Sequence, residues 1–175
     1  VDMAAIRTDL QAAARHLQVG GDQRYTPAQV AAIEQQVTGA LDRPAQEALA
    51  RDIEGVIASA PLFTPRMPRT EKPFSVRMTN CGPLGWVSDA AGYRYQSFHP
   101  DTRQPWPPMP EALTRLWQAY AGYDAPPEAC LVNIYDGTAR MGLHQDRDEV
   151  DLAAPVLSVS LGDTALFRIG GTERR

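Results

Sequence analysis

The sequence predicts an α+β domain, with helices packed on one side of a mostly antiparallel sheet or barrel. Three observations predict it. Before Pro61, apolar residues recur at helical spacing. Beyond Ala129, three short runs are rich in Val, Ile, Leu and Phe and are bounded by Gly, Asp and Pro. The order is helices first and strands later, without an internal repeat or low-complexity tract.

A first helix is expected over 3–18, with Ile6, Leu10, Ala13 and Leu17 on one face, Asp2 as its cap and Gly20-Gly21 as its stop. A second opens with Thr26 and Pro27 and sets Val30, Ile33 and Val37 on one stripe up to Gly39. A third starts at Asp42-Arg43-Pro44, aligns Leu49, Ile53, Val56 and Ile57, and ends before Pro61. Proline is then dense over 61–73 and again in "HPDTRQPWPPMP", so both stretches read as loops. A fourth helix over 111–121 carries Leu113, Leu116, Trp117 and Tyr120 and stops at Gly122. The expected strands are "ACLVNIY", "APVLSVSLG" and "TALFRIGG".

With 43% apolar and 22% charged residues among 175, the composition is that of a soluble globular domain. No apolar run is long enough to span a bilayer, the start lacks a signal-peptide pattern, and the two cysteines, Cys81 and Cys130, form no CxxC pair. A cytoplasmic protein with reduced, structural thiols and no membrane partner is expected. The net charge of -4 argues against a protein that coats nucleic acid indiscriminately. One local exception is "PRMPRTEKPFSVRMTN", where Arg66, Arg69, Lys72 and Arg77 face a single acid, Glu71. From charge alone this segment reads as a solvated loop.

The chemistry-bearing candidate is His144-Gln145-Asp146 in "YDGTARMGLHQDRDE". Side chains two apart on a strand point the same way, so an imidazole and a carboxylate could chelate one ion there. That is two-thirds of the facial triad that binds non-haem Fe(II). The tripeptide alone is a weak signal, and the chain holds a second copy, His99-Pro100-Asp101, whose central proline argues against a strand-end chelate. On the residues alone, Trp86 reads equally as core, Asn133 and Tyr135 as half-buried strand polars, and Asp148 as a solvated acid.

The long stretch "CLVNIYDGTARMGLHQDRDEVDLAAPVLSVSLG" resembles the core motif of the AlkB family of Fe(II)- and 2-oxoglutarate-dependent DNA-repair dioxygenases. The upstream "VRMTNCGPLGW" and "GYRYQSFHPDTRQPWPPMP" resemble that family's nucleotide-recognition segment. The resemblance begins near Leu41 and runs to the last residue. It implies a double-stranded β-helix, or jelly roll, over 41–175, incomplete at its C-terminus, with buttressing helices and a nucleotide-recognition lid at about 61–108. It leaves 1–40 as a helical N-terminal segment of no assigned role.

Carried over by position, the resemblance implies His144 and Asp146 as iron ligands and Asn133 and Tyr135 as hydrogen-bond partners of 2-oxoglutarate. Trp86 would stack on a flipped base, Tyr93 and Thr79 would belong to the lid, and Asp148 would read the exocyclic amine of adenine or cytosine. The basic run would then contact phosphates. The implied activity is oxidative demethylation of alkylated bases, 1-methyladenine and 3-methylcytosine, in single- or double-stranded DNA or in RNA. Formaldehyde would be released and 2-oxoglutarate converted to succinate, by a monomer.

In AlkB-like proteins a distal histidine and two carboxylate-binding arginines follow this point. The histidines here are His16, His99 and His144, and Arg168, Arg174 and Arg175 match no such motif. The expectation is therefore that the natural protein continues past Arg175 and that this chain alone is inactive. Two rival readings remain: a catalytically dead nucleic-acid-binding remnant, and a 2-oxoglutarate dioxygenase with another substrate.

Overall fold

The computed structural model describes residues 40–142, 144 and 154–163. The two helices expected before Gly39, the "TALFRIGG" strand, Asp146 and Asp148 lie outside these residues. The chain divides into two units, 1–48 with 155–175, and 49–154.

The described part of the first unit holds the start of α1 (Arg43–Ser59) and residues 155–163. Asp42 caps α1: its carboxylate accepts the Ala45 N–H at 2.9 Å, and its carbonyl accepts the Gln46 N–H at 2.9 Å as the first helical bond. The run "APVLSVSLG" was expected to be a strand, and the structure corrects this. Among the described residues it bears only an isolated bridge at Leu157. Its β-branched residues favour extended backbone, but no ladder forms there among the described residues.

In the second unit α1 continues, burying Leu49 and Val56, and ends where Pro61 cannot extend it. Two antiparallel ribbons follow. One pairs β1 (Arg77–Cys81) with β4 (Cys130–Ile134), in the register Met78 to Asn133 and Thr79 to Val132. The other is the hairpin of β2 (Gly85–Asp89) and β3 (Gly92–Gln96), with Ser88 opposite Tyr93. Phe63 extends the first ribbon along its other edge by exchanging N–H···O bonds of 2.8 Å with Met78. Between α2 (Glu111–Tyr120) and β4 runs an irregular segment; Gly122, at φ +59°, takes the left-handed backbone that ends such a helix.

The core joins Ala60, Phe63, Val76, Met78, Val87 and Trp106. These come from the end of α1, the first proline-rich loop, both ribbons and the second proline-rich loop, so the two loops are structural walls. At Gly85 the second loop comes close to β2: a Cβ there would lie 2.5 Å from the Trp106 indole. The Trp106 Nε1–H donates to the Gln96 carbonyl at 2.8 Å, which closes the second loop against β3.

Antiparallel pairing and helices segregated from strands fit the α+β expectation. The described residues show two two-stranded ribbons rather than a closed jelly roll. No helix among them is long and apolar enough to cross a membrane.

Candidate functional site

The aromatics expected in the lid are positioned by β-strand geometry. In β1 the Asn80 side chain brackets the backbone of Trp86, accepting its N–H and donating to its carbonyl, both at 3.0 Å. A side-chain amide thereby imitates a ladder partner and fixes where the indole leaves β2. The Trp86 ring is half-buried, stacks on Tyr93 at 5.5 Å with the planes 21° apart, and meets Phe74 in a tilted contact at 6.3 Å. Trp86 and Tyr93 are diagonal neighbours in the hairpin, within reach for long aromatic side chains. Tyr93 therefore covers one face of the indole.

The hairpin is tied at two places. At its turn, Arg94 grips the Asp89 carboxylate with two N–H···O bonds of 2.8 Å, and Asp89 also accepts the Ala91 N–H. The Arg94 guanidinium holds the Asp89 carboxyl below the usual carboxylate range. On its flank, Ser88 and Arg66 exchange hydrogen bonds, Ser88 Oγ–H to the Arg66 carbonyl at 2.6 Å and Arg66 N–H to the Ser88 carbonyl at 3.0 Å.

The basic segment is narrower than its sequence suggests. Arg77 is ion-paired with Asp136, while Arg69 and Lys72 lie exposed on a loop that folds back on itself through the Met67 N–H to Lys72 carbonyl bond.

Thr79 requires a correction. It was expected in the lid as a substrate contact. Instead it lies in β1 with no exposed surface, and its hydroxyl donates to the Ala60 carbonyl at 2.8 Å. A side chain with no surface and a satisfied donor cannot touch a base, so Thr79 ties β1 to the end of α1.

Asn133 and Tyr135 sit at the end of β4, two residues apart. Asn133 stands opposite Met78, and its Oδ1 is buried without a hydrogen-bond partner among the described residues. Such an atom is costly to leave unpaired. A half-turn of the amide exchanges acceptor for donor, so the buried end can meet either a hydroxyl or a carboxylate. Tyr135 is 52% exposed, and burial of its hydroxyl end pushes the phenol above its ordinary pKa, which keeps the O–H as a donor.

After β4 the chain turns at Gly137 (φ +56°), and a side chain the sequence did not single out holds the loop that follows. Ser75 Oγ–H donates to the Arg140 carbonyl at 2.9 Å and accepts the Arg140 N–H at 3.1 Å. With Arg77–Asp136 it prolongs the β1–β4 pairing beyond the last ladder rung. Ala139 and Met141 then pack against the core cluster, as do Phe74 and Trp86. At the end of this loop His144 is exposed, its Nδ1 bonded to the Gly142 carbonyl at 2.8 Å. An imidazole that donates from Nδ1 carries its lone pair on Nε2, the arrangement seen in metal-ligating histidines.

His99 contrasts with this. It is 1% exposed; its Nε2 bonds the Pro61 carbonyl at 2.6 Å, and its Nδ1 accepts the N–H groups of Asp101 and Thr102 at 3.1 and 3.2 Å. Both ring nitrogens serve the backbone, so this second H-x-D pattern is a tie between loops.

The structure thus brings Trp86 and Tyr93 together, and it packs Trp86 and the loop leading to His144 on one core. It removes Thr79 from the site. Sequence reasoning missed Phe74, Ser75, Asn80 and the Arg77–Asp136 pair. Asn80 carried a signal, being a strand-averse residue amid a buried strand; Ser75 carried none. The residues present fit the expected cofactors: a ring with the right tautomer for a metal, and, for an oxyacid, a buried amide oxygen without a partner among the described residues, two positions before a phenol O–H.

Comparison with known proteins agrees with this geometry. Residues 36–175 match the 2OG-Fe(II) oxygenase superfamily, whose name carries both 2-oxoglutarate and ferrous iron. An α-ketoglutarate-dependent dioxygenase AlkB homolog of Caulobacter vibrioides is 55% identical over 139 residues, covering 78% of this chain and 62% of that protein. The AlkB dioxygenase of Escherichia coli is 46% identical over 134 residues, covering 74% and 62%. The human nucleic acid dioxygenase ALKBH1 is 34% identical over 94 residues, covering 52% and 24%. The chain therefore spans about three-fifths of the length of the bacterial relatives. It belongs to the 2OG-Fe(II) oxygenase superfamily, within the AlkB family.

Proposed function

We propose that the whole protein of which this chain is part removes methyl groups oxidatively from 1-methyladenine and 3-methylcytosine in DNA or RNA, on a jelly-roll scaffold. The observation that carries this reading is the common seat of two unlike parts. The lid tryptophan and the loop ending at His144 pack against one core cluster, which supports a base held by Trp86 and a metal held by His144 acting together. The bacterial relatives bear the AlkB name, and the human one is a nucleic acid dioxygenase, which supports the substrate class.

In this reading His144 and Asp146 hold Fe(II), and Asn133 and Tyr135 hold 2-oxoglutarate. The metal and cosubstrate, when bound, would supply with dioxygen the oxidising power that hydroxylates the N-methyl carbon, 2-oxoglutarate leaving as succinate and carbon dioxide and the methyl carbon as formaldehyde. The chain's own residues bind and orient. Tyr93 occupies one face of Trp86, so the flipped base takes the other, where a large π-surface replaces the stacking lost from the strand. Asp148 accepts from the exocyclic amine of the base. Arg69 and Lys72 meet phosphates without reading sequence. Asn133 turns its donor toward a cosubstrate oxygen, which resolves its buried unpaired end. The protonated Tyr135 donates to another.

The test uses the full-length protein with single-stranded oligonucleotides bearing either lesion, scoring formaldehyde, succinate and restored base. Turnover in the wild type and its abolition by Asp146→Ala are expected. Oligonucleotide binding without turnover would select the inactive-remnant reading. Succinate formation with another substrate class, and none with methylated bases, would select a different dioxygenase.

A further inference from the structure

The two cysteines, far apart in sequence, are opposite one another in space. Cys81 closes β1 and Cys130 opens β4, and they are direct register partners in the antiparallel ladder. Met78 exchanges its N–H and C=O bonds with Phe63 on the outer edge of β1. Backbone groups alternate along a strand, so residues 77, 79 and 81 present theirs to β4. The Cys81–Cys130 rung is therefore a hydrogen-bonded pair, for which the Cα atoms lie about 5.5 Å apart. That spacing is within the range disulfides span, about 4.4–6.8 Å. Register partners also project to the same face, so the Cβ vectors do not diverge.

We infer that Cys81 and Cys130 form a redox-active dithiol that a peroxide closes into an intrachain disulfide across the β1–β4 ribbon. The two residues differ in ways that assign their roles. Cys81 has no exposed surface, whereas Cys130 is partly exposed at the start of its strand. Interaction with the Cys130 thiol pushes the Cys81 thiol far up, with burial adding to the effect, whereas interaction with Cys81 brings the Cys130 thiol down against its own burial. Of the two, Cys130 is the one shifted toward the thiolate. The thiolate is the nucleophilic form, and oxidation favours an accessible cysteine with a resolving partner beside it.

The chemistry closes without another participant. The Cys130 thiolate attacks one oxygen of hydrogen peroxide. An S–O bond forms, the O–O bond breaks, and the departing hydroxide takes a proton to become water. The Cys81 sulfur then loses its proton and attacks the sulfenic sulfur, forming the S–S bond and expelling a second water. Two thiols and one peroxide become one disulfide and two waters. The disulfide fastens the rung three residues before Asn133, at the end of the ladder remote from the His144 loop. The fold can therefore register oxidation without giving up a candidate site residue.

The test treats the full-length protein in a metal chelator with a modest excess of hydrogen peroxide, blocks remaining thiols and digests it without reduction. Trypsin places Cys81 in peptide 78–94 and Cys130 in peptide 116–140. The expected product is these two peptides linked, released by dithiothreitol, with slower amide exchange along the β1–β4 ribbon. In Cys81→Ser the sulfenic acid on Cys130 should persist and be trapped by dimedone. In Cys130→Ser the buried Cys81 should stay unmodified. Unlinked peptides carrying blocked thiols, or carrying sulfinic acids, would overturn the inference, as would equal oxidation of Cys81 in Cys130→Ser.

Discussion

His99-Pro100-Asp101 and His144-Gln145-Asp146 share one pattern, and their histidines sit in opposite surroundings. His99 is enclosed by Phe63 and Trp106, ring centroids 5.4 and 5.2 Å away, and spends both nitrogens on backbone groups of the loops it joins. His144 is exposed and commits Nδ1 to the carbonyl two residues back, which leaves the Nε2 tautomer suited to a metal. The tripeptide therefore does not make a ligand. What differs is the surroundings: the buried His99 ring serves the backbone of the loops it joins, whereas His144 lies exposed.

The strongest way to break this comparison is to exchange the losses. His144→Ala in the full-length protein should weaken Fe(II) or Mn(II) binding by more than about 100-fold and abolish demethylation, with stability within about 1 kcal/mol of wild type. His99→Ala should do the reverse. It leaves the Pro61 carbonyl and two N–H groups without partners and opens a gap beside Trp106, at a cost of about 2–4 kcal/mol, while metal affinity is retained. Denaturation midpoints and metal titrations on the same two proteins decide it, and equal metal loss in both would erase the distinction. His99→Asn sharpens it. A short amide can still accept the Asp101 and Thr102 N–H groups but cannot reach Pro61, so it should fall between alanine and wild type.

Next in size is Trp86→Ala. Base–aromatic stacking contributes about 1–3 kcal/mol per base, so KM for a methylated oligonucleotide should rise between about 5- and 150-fold while metal affinity stays unchanged. An unchanged KM would return the indole to a purely structural role beside Phe74.

A smaller effect is expected from Ser75→Ala. Its hydroxyl makes two exposed bonds to the Arg140 backbone, each contributing about 1 kcal/mol at most, so metal affinity should fall by about 3- to 10-fold through a looser His144 loop. Ser75→Thr, which restores the hydroxyl, should recover it. If alanine and threonine bind metal equally well, the latch does not position the ligand.

What the sequence revealed follows the same division between local and distant partners. The helix beginning at Asp42 and the helix over 111–121 were legible because their caps, periodicity and stops are local. β4 was legible as the apolar run "CLVNI". β1 was not, because "RMTNC" buries Thr79, Asn80 and Cys81, polar or small residues whose partners lie across the sheet. The same distance hid the Cys81–Cys130 rung and misplaced Thr79, whose neighbours in sequence suggested a lid. His144 and Asn133 were singled out because the motif that carries them is compact. Ser75 was not, because its only signature is the backbone of residue 140, which no spacing rule connects to it.

The smallest effect separates the β2–β3 hairpin from the core it rests on. Arg94 first, and the Ala91 N–H second, hold the Asp89 carboxyl below its ordinary range. A carboxylate whose folded pKa is lowered stabilises the fold above the unfolded value of about 3.9, and that contribution fades as pH falls toward and through the folded value. Both side chains are more than one-third exposed, 37% for Arg94 and 45% for Asp89, so solvent and salt screen the pair heavily. Asp89→Asn should therefore lower stability only slightly at neutral pH, with the gap from wild type closing below about pH 4 and narrowing in high salt. The loss should appear as faster amide exchange in residues 85–96 alone, because Trp86 is anchored separately by Asn80. If exchange accelerates equally in the β1–β4 ribbon, the hairpin is not an independent lid but part of the same cooperative unit as the core.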